Sequence, residues 1–192
     1  MSTYTLKDGR VLTIYRPRAA DAEELLEYLK IVGGETNFLL LDHRGIALTV
    51  EQEREFLESA YNNPRAAFFT GRVAAAGRDV LIAPGQSSPA GEIALTCQVT
   101  AFRQERLAHV GEIAISVRKD FWSLGVGSFA MREMIGFAKS AGVKNIELGV
   151  YANNERAKGL YSRFGFVEVG RHKNRFCVNG EYFDEIIMDL YL

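Results

Sequence analysis

Two glycines separated by a single residue, Gly125 and Gly127, mark the stretch of this sequence with the clearest chemical potential. They lie between a predicted strand over 110–117 and the start of a predicted helix over 125–141. Glycine lets the backbone approach a bound molecule closely, and the first N–H groups of a helix have no partner within it. These groups suit an anionic phosphate, although the same glycines could simply serve a tight strand-to-helix connection.

A dinucleotide site is one alternative for this stretch. The segment from Gly125 to Ala130 fits the pattern G-x-G-x-x-G/A, and Glu147 follows about twenty residues later as an acid for a ribose. In that pattern the glycines follow the strand almost directly, whereas here the segment 118–124 intervenes. The chain after Gly127 is also short for a doubly wound nucleotide-binding domain. No G-K-[S/T] sequence is present, which excludes a nucleoside-triphosphate P-loop.

The elements that must position these residues belong to a mixed α/β chain. Its 192 residues, 47% hydrophobic and 24% charged, suit one ordinary domain and exclude a wholly disordered protein. Hydrophobic periodicity predicts an opening hairpin, two helices, three or four strands, a helix, a strand, a short helix over 154–163 and further strands to the end. We therefore expect one α/β domain over residues 1–192.

Local signals set the boundaries of these elements. We expect the first helix to end at Gly33 and Gly34, because glycine is common at helix ends. We expect an additional strand over 80–82, and two separate strands over 164–169 and 175–178 before the last one.

Charge and cysteine content exclude several classes of protein. A net charge of -1 gives no overall attraction to nucleic acid or to an anionic membrane. No apolar run is long enough to span a bilayer, and the N-terminus lacks the apolar core of a signal peptide. Cys97 and Cys177 are far apart and lack metal-type spacing, so we expect buried, reduced thiols, no metal site and a cytoplasmic location.

A second motif follows the glycine pair. It fits the pattern N-x-x-A-x-x-L-Y-x-x-x-G-F through Asn154, Ala157, Leu160, Tyr161, Gly165 and Phe166. Together with the glycine loop, it resembles the GCN5-related N-acetyltransferase (GNAT) superfamily, whose pyrophosphate loop is [QR]-x-x-G-x-[GA]. The strong resemblance covers 110–166, and one departure is Trp122, which stands where Arg or Gln is usual.

The resemblance implies a fold and a cofactor. The fold is a mixed central sheet of about six to seven strands with helices on both faces, splayed between the strands that end near Val117 and Val150. The cofactor is acetyl-CoA, with its pantetheine arm on the backbone of Ile115 and Val117. Arg118, Lys119, Lys158 and Arg163 could reach the phosphates. The remaining implied cofactor-binding residues are Trp122, Ser123, Leu124, Gly125, Val126, Gly127, Ser128, Asn154, Ala157 and Tyr161.

The resemblance also implies an acid, Tyr161, which protonates the departing thiolate. Proton transfer from a tyrosine of pKa about 10 to the thiolate of a thiol of pKa about 8.5 is uphill by only about 2 kcal/mol. The candidates for the base are Glu112 and His109. The usual position of the base falls at Gly111, so Glu112 should face the opposite side of the strand unless a bulge shifts it, and His109 lies further out.

The acceptor implied by the resemblance is a primary amine of a small molecule, an amino acid or a protein N-terminus. Its walls should come from the first two helices with 38–41 and from the final hairpin, with Asp42, Glu112 and Asp184 as carboxylates for a cationic amine. A homodimer is possible. The alternatives are a non-catalytic module that binds acyl-CoA and, more remotely, a dinucleotide-dependent oxidoreductase.

Overall fold

The computed structural model describes residues 1–74 and 88–192, in which eight strands form one sheet in the order β1-β2-β3-β4-β5-β6-β8-β7. The strand expected over 80–82 lies outside the described residues. The strands are β1 (Ser2–Thr5), β2 (Val11–Tyr15), β3 (Ala66–Ala74), β4 (Glu92–Ala101), β5 (Val110–Val117), β6 (Asn145–Tyr151), β7 (Val167–Val178) and β8 (Glu181–Tyr191). The helices are α1 (Ala22–Glu35), α2 (Val50–Asn62), α3 (Val126–Ser140) and α4 (Glu155–Arg163). No helix in these two ranges is long and apolar enough to cross a membrane.

The sheet splits between β5 and β6. These two strands run parallel and pair only over 110–112 and 145–147, whereas every other neighbouring pair is antiparallel. Beyond Glu112 and Glu147 the two strands separate, and we call this point the fork. The expected splay is therefore confirmed, in a sheet of eight strands instead of six or seven.

Helices cover both faces of the sheet, as expected. On one face α3 packs on the central strands through Val126, Ala130, Met134 and Ala138, in a core that also holds Tyr161. On the other, which we call the open face, α1 and α2 pack against Ile93 and Phe68. The second core is smaller, and it leaves the side chains of Glu112 and Ala114 on β5 exposed.

Two buried polar networks fix α1 on the open face. Arg72 on β3 donates to the hydroxyl of Tyr15 at 2.8 Å, to Asp21 at 3.2 Å and to Glu24 at 2.6 Å. Further along α1, the hydroxyl of Tyr28 lies 3.0 Å from the carbonyl oxygen of Ser116 and 2.9 Å from its Oγ. The second network ties α1 to the end of β5, where that strand has no partner on the β6 side.

Two predicted boundaries were wrong. Helix α1 continues through Gly33 and Gly34 to Glu35. The glycine at 33 serves a close contact instead of a helix end, because the backbone of Asp42 packs where any Cβ at that position would lie. Strand β7 is continuous from Val167 to Val178 instead of two strands, because β8 pairs with it along most of its length. The expected burial of both cysteines is confirmed for Cys97 and wrong for Cys177, which is exposed on β7.

Candidate active site

The edge of β5 that faces the splay carries free backbone groups. The N–H of Arg118 donates to Ala94 on β4 at 2.9 Å, and in an antiparallel pair alternate residues point to the same neighbour. Ile115 and Val117 therefore direct their N–H and C=O groups away from β4, toward β6. Strand β6 does not pair with them, so within the described chain these groups have no strand partner. This edge can accept an extended, amide-bearing molecule as an added strand.

The loop after β5 presents consecutive backbone donors. The N–H groups of residues 123–127 donate to no backbone or side-chain acceptor among residues 1–74 and 88–192, and we call them the cradle. Within this run the φ angles are positive at Ser123, 64°, and at Gly125, 101°, and free N–H groups in such turns are typical of anion-binding loops. The N–H of Ser128 instead donates to Gly125 at 2.9 Å, so it does not belong to the cradle.

The side chains around the cradle are mostly turned into the protein. Val126 is buried in the α3 core and Leu124 packs against it, so both offer only their backbone to a ligand. A Cβ on Gly127 would lie 3.0 Å from Leu160, so this glycine also lets α4 approach α3 closely. The first turn of α3 contains no acidic residue to oppose an anion.

Trp122 connects the loop to the strand. Its indole Nε1 donates to the carbonyl oxygen of Val117 at 2.7 Å, which leaves the N–H of Val117 for a ligand. The guanidinium of Arg156, at the start of α4, lies over the indole ring 4.1 Å from its centroid. Sequence reasoning considered Lys158 and Arg163 on α4 but missed Arg156, because its contact with Trp122 is visible only in the fold.

Asn154 and Ala157 begin α4. The side-chain oxygen of Asn154 accepts from the N–H of Ala157 at 3.2 Å, which is an N-cap. These two residues therefore have a local structural role that fixes the start of α4. The side-chain nitrogen of Asn154, Nδ2, has no hydrogen-bond partner among the described residues.

Two of the four cations expected near the phosphates are engaged elsewhere. Arg118 lies 3.0 Å from Glu92 and 3.3 Å from Asp120, with Glu35 at 3.7 Å. Lys158 donates to Ala152 and Glu155, each at 2.6 Å.

Tyr161 lies in the α3 core, with 8% of its surface exposed. Its hydroxyl has no hydrogen-bond partner within the described ranges, and burial raises the pKa of Tyr161 to about 12. The side chain therefore keeps its proton at neutral pH and can act as an acid but not as a base.

A pair of carboxylates stands at the fork. Glu112 and Glu147 are directly paired across β5 and β6, and Asp189 on β8 is opposite Glu147. Burial, followed by the charges of Glu112 and Asp189, raises the pKa of Glu147. A carboxylate with a raised pKa is a stronger proton acceptor. Glu147 was considered in sequence only as a ribose ligand, and only the register of the sheet shows its position beside Glu112.

The structure also gives the direction of Glu112. The pairing of β5 with β4 has no register shift, so Glu112 faces away from Gly111, as expected. Gly111 faces Val143 in the α3 core, whereas Glu112 faces the open face together with Ser116. Glu112 thus needs no bulge to reach open space. His109 precedes β5, six residues and therefore roughly 20 Å from Ile115, so it lies far from the splay.

Aromatic side chains form a wall on the open face at the splayed end of β6. Tyr151 stacks on Phe176 at 3.8 Å between ring centroids, and Phe38 meets Tyr151 edge-on at 5.6 Å. Phe183 lies 6.2 Å from Tyr151, and we call these four residues the aromatic wall. It joins the segment after α1 to the final hairpin, the two regions expected to line an acceptor site. Leu40, in contrast, is 88% exposed.

The carboxylates expected to meet a cationic acceptor differ in their partners. Asp42 binds Arg44 at 2.6 Å, and Asp184 binds Arg171 at 2.7 Å. Both are neutralised by neighbours, and hydrogen bonds lower the pKa of each. Glu112 has no salt-bridge partner within the described residues, and it remains as the candidate for an ammonium group.

These features fit the phosphates and the amide-bearing arm of a coenzyme A thioester. The cradle has the donors for a pyrophosphate, and the free edge of β5 continues from it in sequence. Among residues 1–74 and 88–192, no cluster of His, Cys, Asp or Glu side chains is placed to hold a metal ion.

Known proteins share this architecture. The L-amino acid N-acetyltransferase AaaT of Escherichia coli strain K12 is 32% identical over 99 residues, which are 51% of this chain and 61% of that protein. The chain thus matches less than two thirds of the length of this curated relative. Among solved structures, an acetyltransferase of the GNAT family from Streptococcus pneumoniae has 28% identity and a TM-score of 0.81, over 94% of this chain and 99% of that chain.

A second solved structure shows the same fold at lower identity. It is yncA of Salmonella typhimurium with its cofactor acetyl-CoA, with a TM-score of 0.73 and 16% identity over 94% of each chain. The sequence model of one family covers residues 47–166, which include the fork, the cradle and α4. The chain therefore belongs to the Acetyltransferase (GNAT) family.

Proposed function

We propose that this protein is an acetyl-CoA-dependent N-acetyltransferase whose acceptor is a primary amine. The observation that carries the proposal is the fork, where the free edge of β5 begins next to the paired carboxylates of Glu112 and Glu147 and leads along the strand toward the cradle. A donor that binds along β5 would end where an amine held on the open face can reach it.

The cofactor side would work mainly through the backbone. The cradle, 123–127, binds the pyrophosphate, and Ile115 and Val117 orient the pantetheine arm. Bound acetyl-CoA supplies an acetyl thioester, whose carbon–sulfur bond breaks as a bond forms between the amine nitrogen and the acetyl carbon. The hydroxyl of Tyr161 gives its proton to the departing sulfur. Burial raises the pKa of Tyr161 to about 12 and makes it a weaker acid, and the same burial disfavours the charged thiolate that accepts the proton.

The amine must lose a proton before it attacks. At neutral pH an alkylammonium of pKa about 10.4 is deprotonated at a cost of roughly 4–5 kcal/mol, so a nearby acceptor of that proton is useful. We assign this role to the carboxylate pair of Glu112 and Glu147, directly or through water, with Glu147 favoured because its pKa is raised. The same two charges attract the ammonium form. His109 precedes β5 and lies further from the splay than Glu112, so we do not assign it this role.

The acceptor we propose is a small amine, with the amino group of an amino acid as the first candidate. The activity of AaaT gives this preference, and the aromatic wall gives an apolar surface for a side chain. The N-terminus of a peptide fits the same carboxylates.

The decisive experiment is an assay of thiol release from acetyl-CoA with L-amino acids, small amines and short peptides. Turnover with any primary amine supports the proposal. Binding of CoA without turnover on any amine would instead favour a non-catalytic acyl-CoA module. Thermal stabilisation by NAD but not by CoA would favour an oxidoreductase.

A further inference from the structure

The cradle and its flanking residues carry no positive side chain. Residues 122–128 are all uncharged, and Trp122 stands where the pattern [QR]-x-x-G-x-[GA] has Arg or Gln. The backbone donors alone would face a pyrophosphate with two negative charges. A cation from elsewhere in the fold is therefore expected to neutralise part of this charge.

The cations near the loop differ in their availability. Arg118 is shared among three carboxylates, and Lys158 is held by Glu155 and by the carbonyl oxygen of Ala152. Arg156 has no salt bridge or side-chain hydrogen bond to any residue in the ranges described. Its guanidinium is exposed, and its hydrogen-bond donors are free.

Arg156 is nevertheless held in place. Its guanidinium carbon lies 4.1 Å from the centroid of the Trp122 ring, at the distance of a cation–π contact. The indole is in turn fixed by its 2.7 Å hydrogen bond to Val117. A stacked guanidinium keeps its edge N–H groups available, so the arrangement orients donors without using them.

We infer that Arg156 is a binding residue for the pyrophosphate of coenzyme A, and that Trp122 is its positioning residue. Trp122 immediately precedes the five free N–H groups of the cradle, so its partner Arg156 stands beside the pyrophosphate. The guanidinium of Arg156, held on the ring of Trp122, thus supplies the positive charge that an Arg at position 122 would have provided. This inference rests on the cofactor site proposed above.

The test measures binding by calorimetry with CoA, with dephospho-CoA, which lacks the 3′-phosphate, and with S-acetylpantetheine, which lacks all phosphates. Arg156→Ala should weaken CoA and dephospho-CoA equally, by about tenfold, and leave S-acetylpantetheine unchanged. The matched control is Lys139→Ala, which removes one positive charge from an exposed position in the last turn of α3 and should change the binding of each ligand by less than about twofold.

Three results would overturn the inference. The first is a loss of CoA affinity below twofold in Arg156→Ala. The second is a smaller loss of affinity for dephospho-CoA than for CoA, which would move the contact to the 3′-phosphate. The third is an equal loss of affinity for S-acetylpantetheine, which would mean a general structural defect. Failure of the wild-type protein to bind CoA would contradict the proposed function itself, so the two failures are distinguishable.

A double-mutant cycle tests the positioning role. Trp122→Leu should weaken CoA binding to a similar extent as Arg156→Ala, and the double variant should show little additional loss, because both changes remove one contact. Additive losses would show that Trp122 does not act through Arg156. Thermal melts of each variant establish that it is folded.

Discussion

The cofactor side and the acceptor side of this protein are built in different ways. The cofactor side is nearly continuous in sequence, from Ile115 on β5 through the cradle, and it offers mainly backbone groups. The acceptor side is assembled from side chains of the segment after α1, from β5 and β6, and from the final hairpin. Backbone groups can serve the same ligand in many sequences, whereas the side-chain surface can change with each acceptor.

The largest effect is expected at the proposed proton donor. Tyr161→Phe should lower kcat by about 100-fold, since it removes the hydroxyl proposed to protonate the departing sulfur and leaves the ring packing intact. The Kd for CoA and the melting temperature should remain unchanged. Steady-state kinetics and calorimetry check this, and an unchanged kcat would remove Tyr161 from the mechanism. Because its pKa is about 12, Tyr161 should cause no loss of rate as pH rises through the neutral range.

The glycines at the two ends of α3 provide a matched test of the cofactor side. Gly125 and Gly142 both have positive φ, 101° and 79°, so alanine at either should cost about 1–2 kcal/mol of stability. Only Gly125→Ala should also weaken CoA binding, by about tenfold, because it tilts the donors of the cradle. Chemical denaturation and CoA titration of both variants measure this. Equal CoA binding by the two would mean that the cradle does not depend on this backbone conformation.

The acceptor side is tested at the fork with Glu147→Gln. The variant should lower kcat/KM for the amine by about tenfold and leave the Kd for CoA unchanged. Glu51→Gln, on the exposed face of α2, is the control and should be neutral. A loss of CoA affinity in Glu147→Gln would contradict the separation of the two sides.

The effect of Glu147→Gln on the stability of the folded protein should depend on pH. The pKa of Glu147 is raised in the folded protein, so its ionisation disfavours folding once pH exceeds the unfolded value of about 4.3. Glu147→Gln should therefore melt at a higher temperature than the wild type at pH 7, and the difference should vanish at pH 4. A difference that grows toward low pH would have the wrong sign for this explanation.

The smallest effect is expected from Tyr28→Phe, which removes the hydrogen bonds from α1 to Ser116 on β5. The cost should be about 1 kcal/mol of stability. Because α1 leads into the segment with Phe38, KM for the amine should rise a few-fold while CoA binding is unchanged. Denaturation curves and kinetics measure both, and a change confined to CoA binding would assign Tyr28 to the other side.

Local sequence predicted the secondary-structure elements of the cofactor side and not the contacts of the acceptor side. The glycine pair before α3, the start of α4 near Asn154 and the strand before the loop are short-range signals, and the structure has these elements close to the predicted positions. The direction of Glu112 also followed from alternation along β5. Whether this side of β5 is open to solvent depends on where α1 and α2 end, and the sequence of the strand holds no information about that.

The errors have the same origin. Gly33 was interpreted as a helix end, but its small size serves the close approach of Asp42, a contact between separate segments. Glu147 and Arg156 were missed because their neighbours, Glu112 and Trp122, are about 35 residues away in sequence. Such contacts are created by sheet register and helix packing, and no local pattern encodes them.

The short β5–β6 junction has a mechanical consequence. Three residue pairs join these strands, whereas eight join β3 to β4, so the sheet resists bending least along the line of the fork. A motion that widens the splay would displace the edge of β5 and the paired glutamates together. In the proposed reaction the two substrates would therefore meet at the most compliant line of the sheet, where the arrival of one would change the space open to the other.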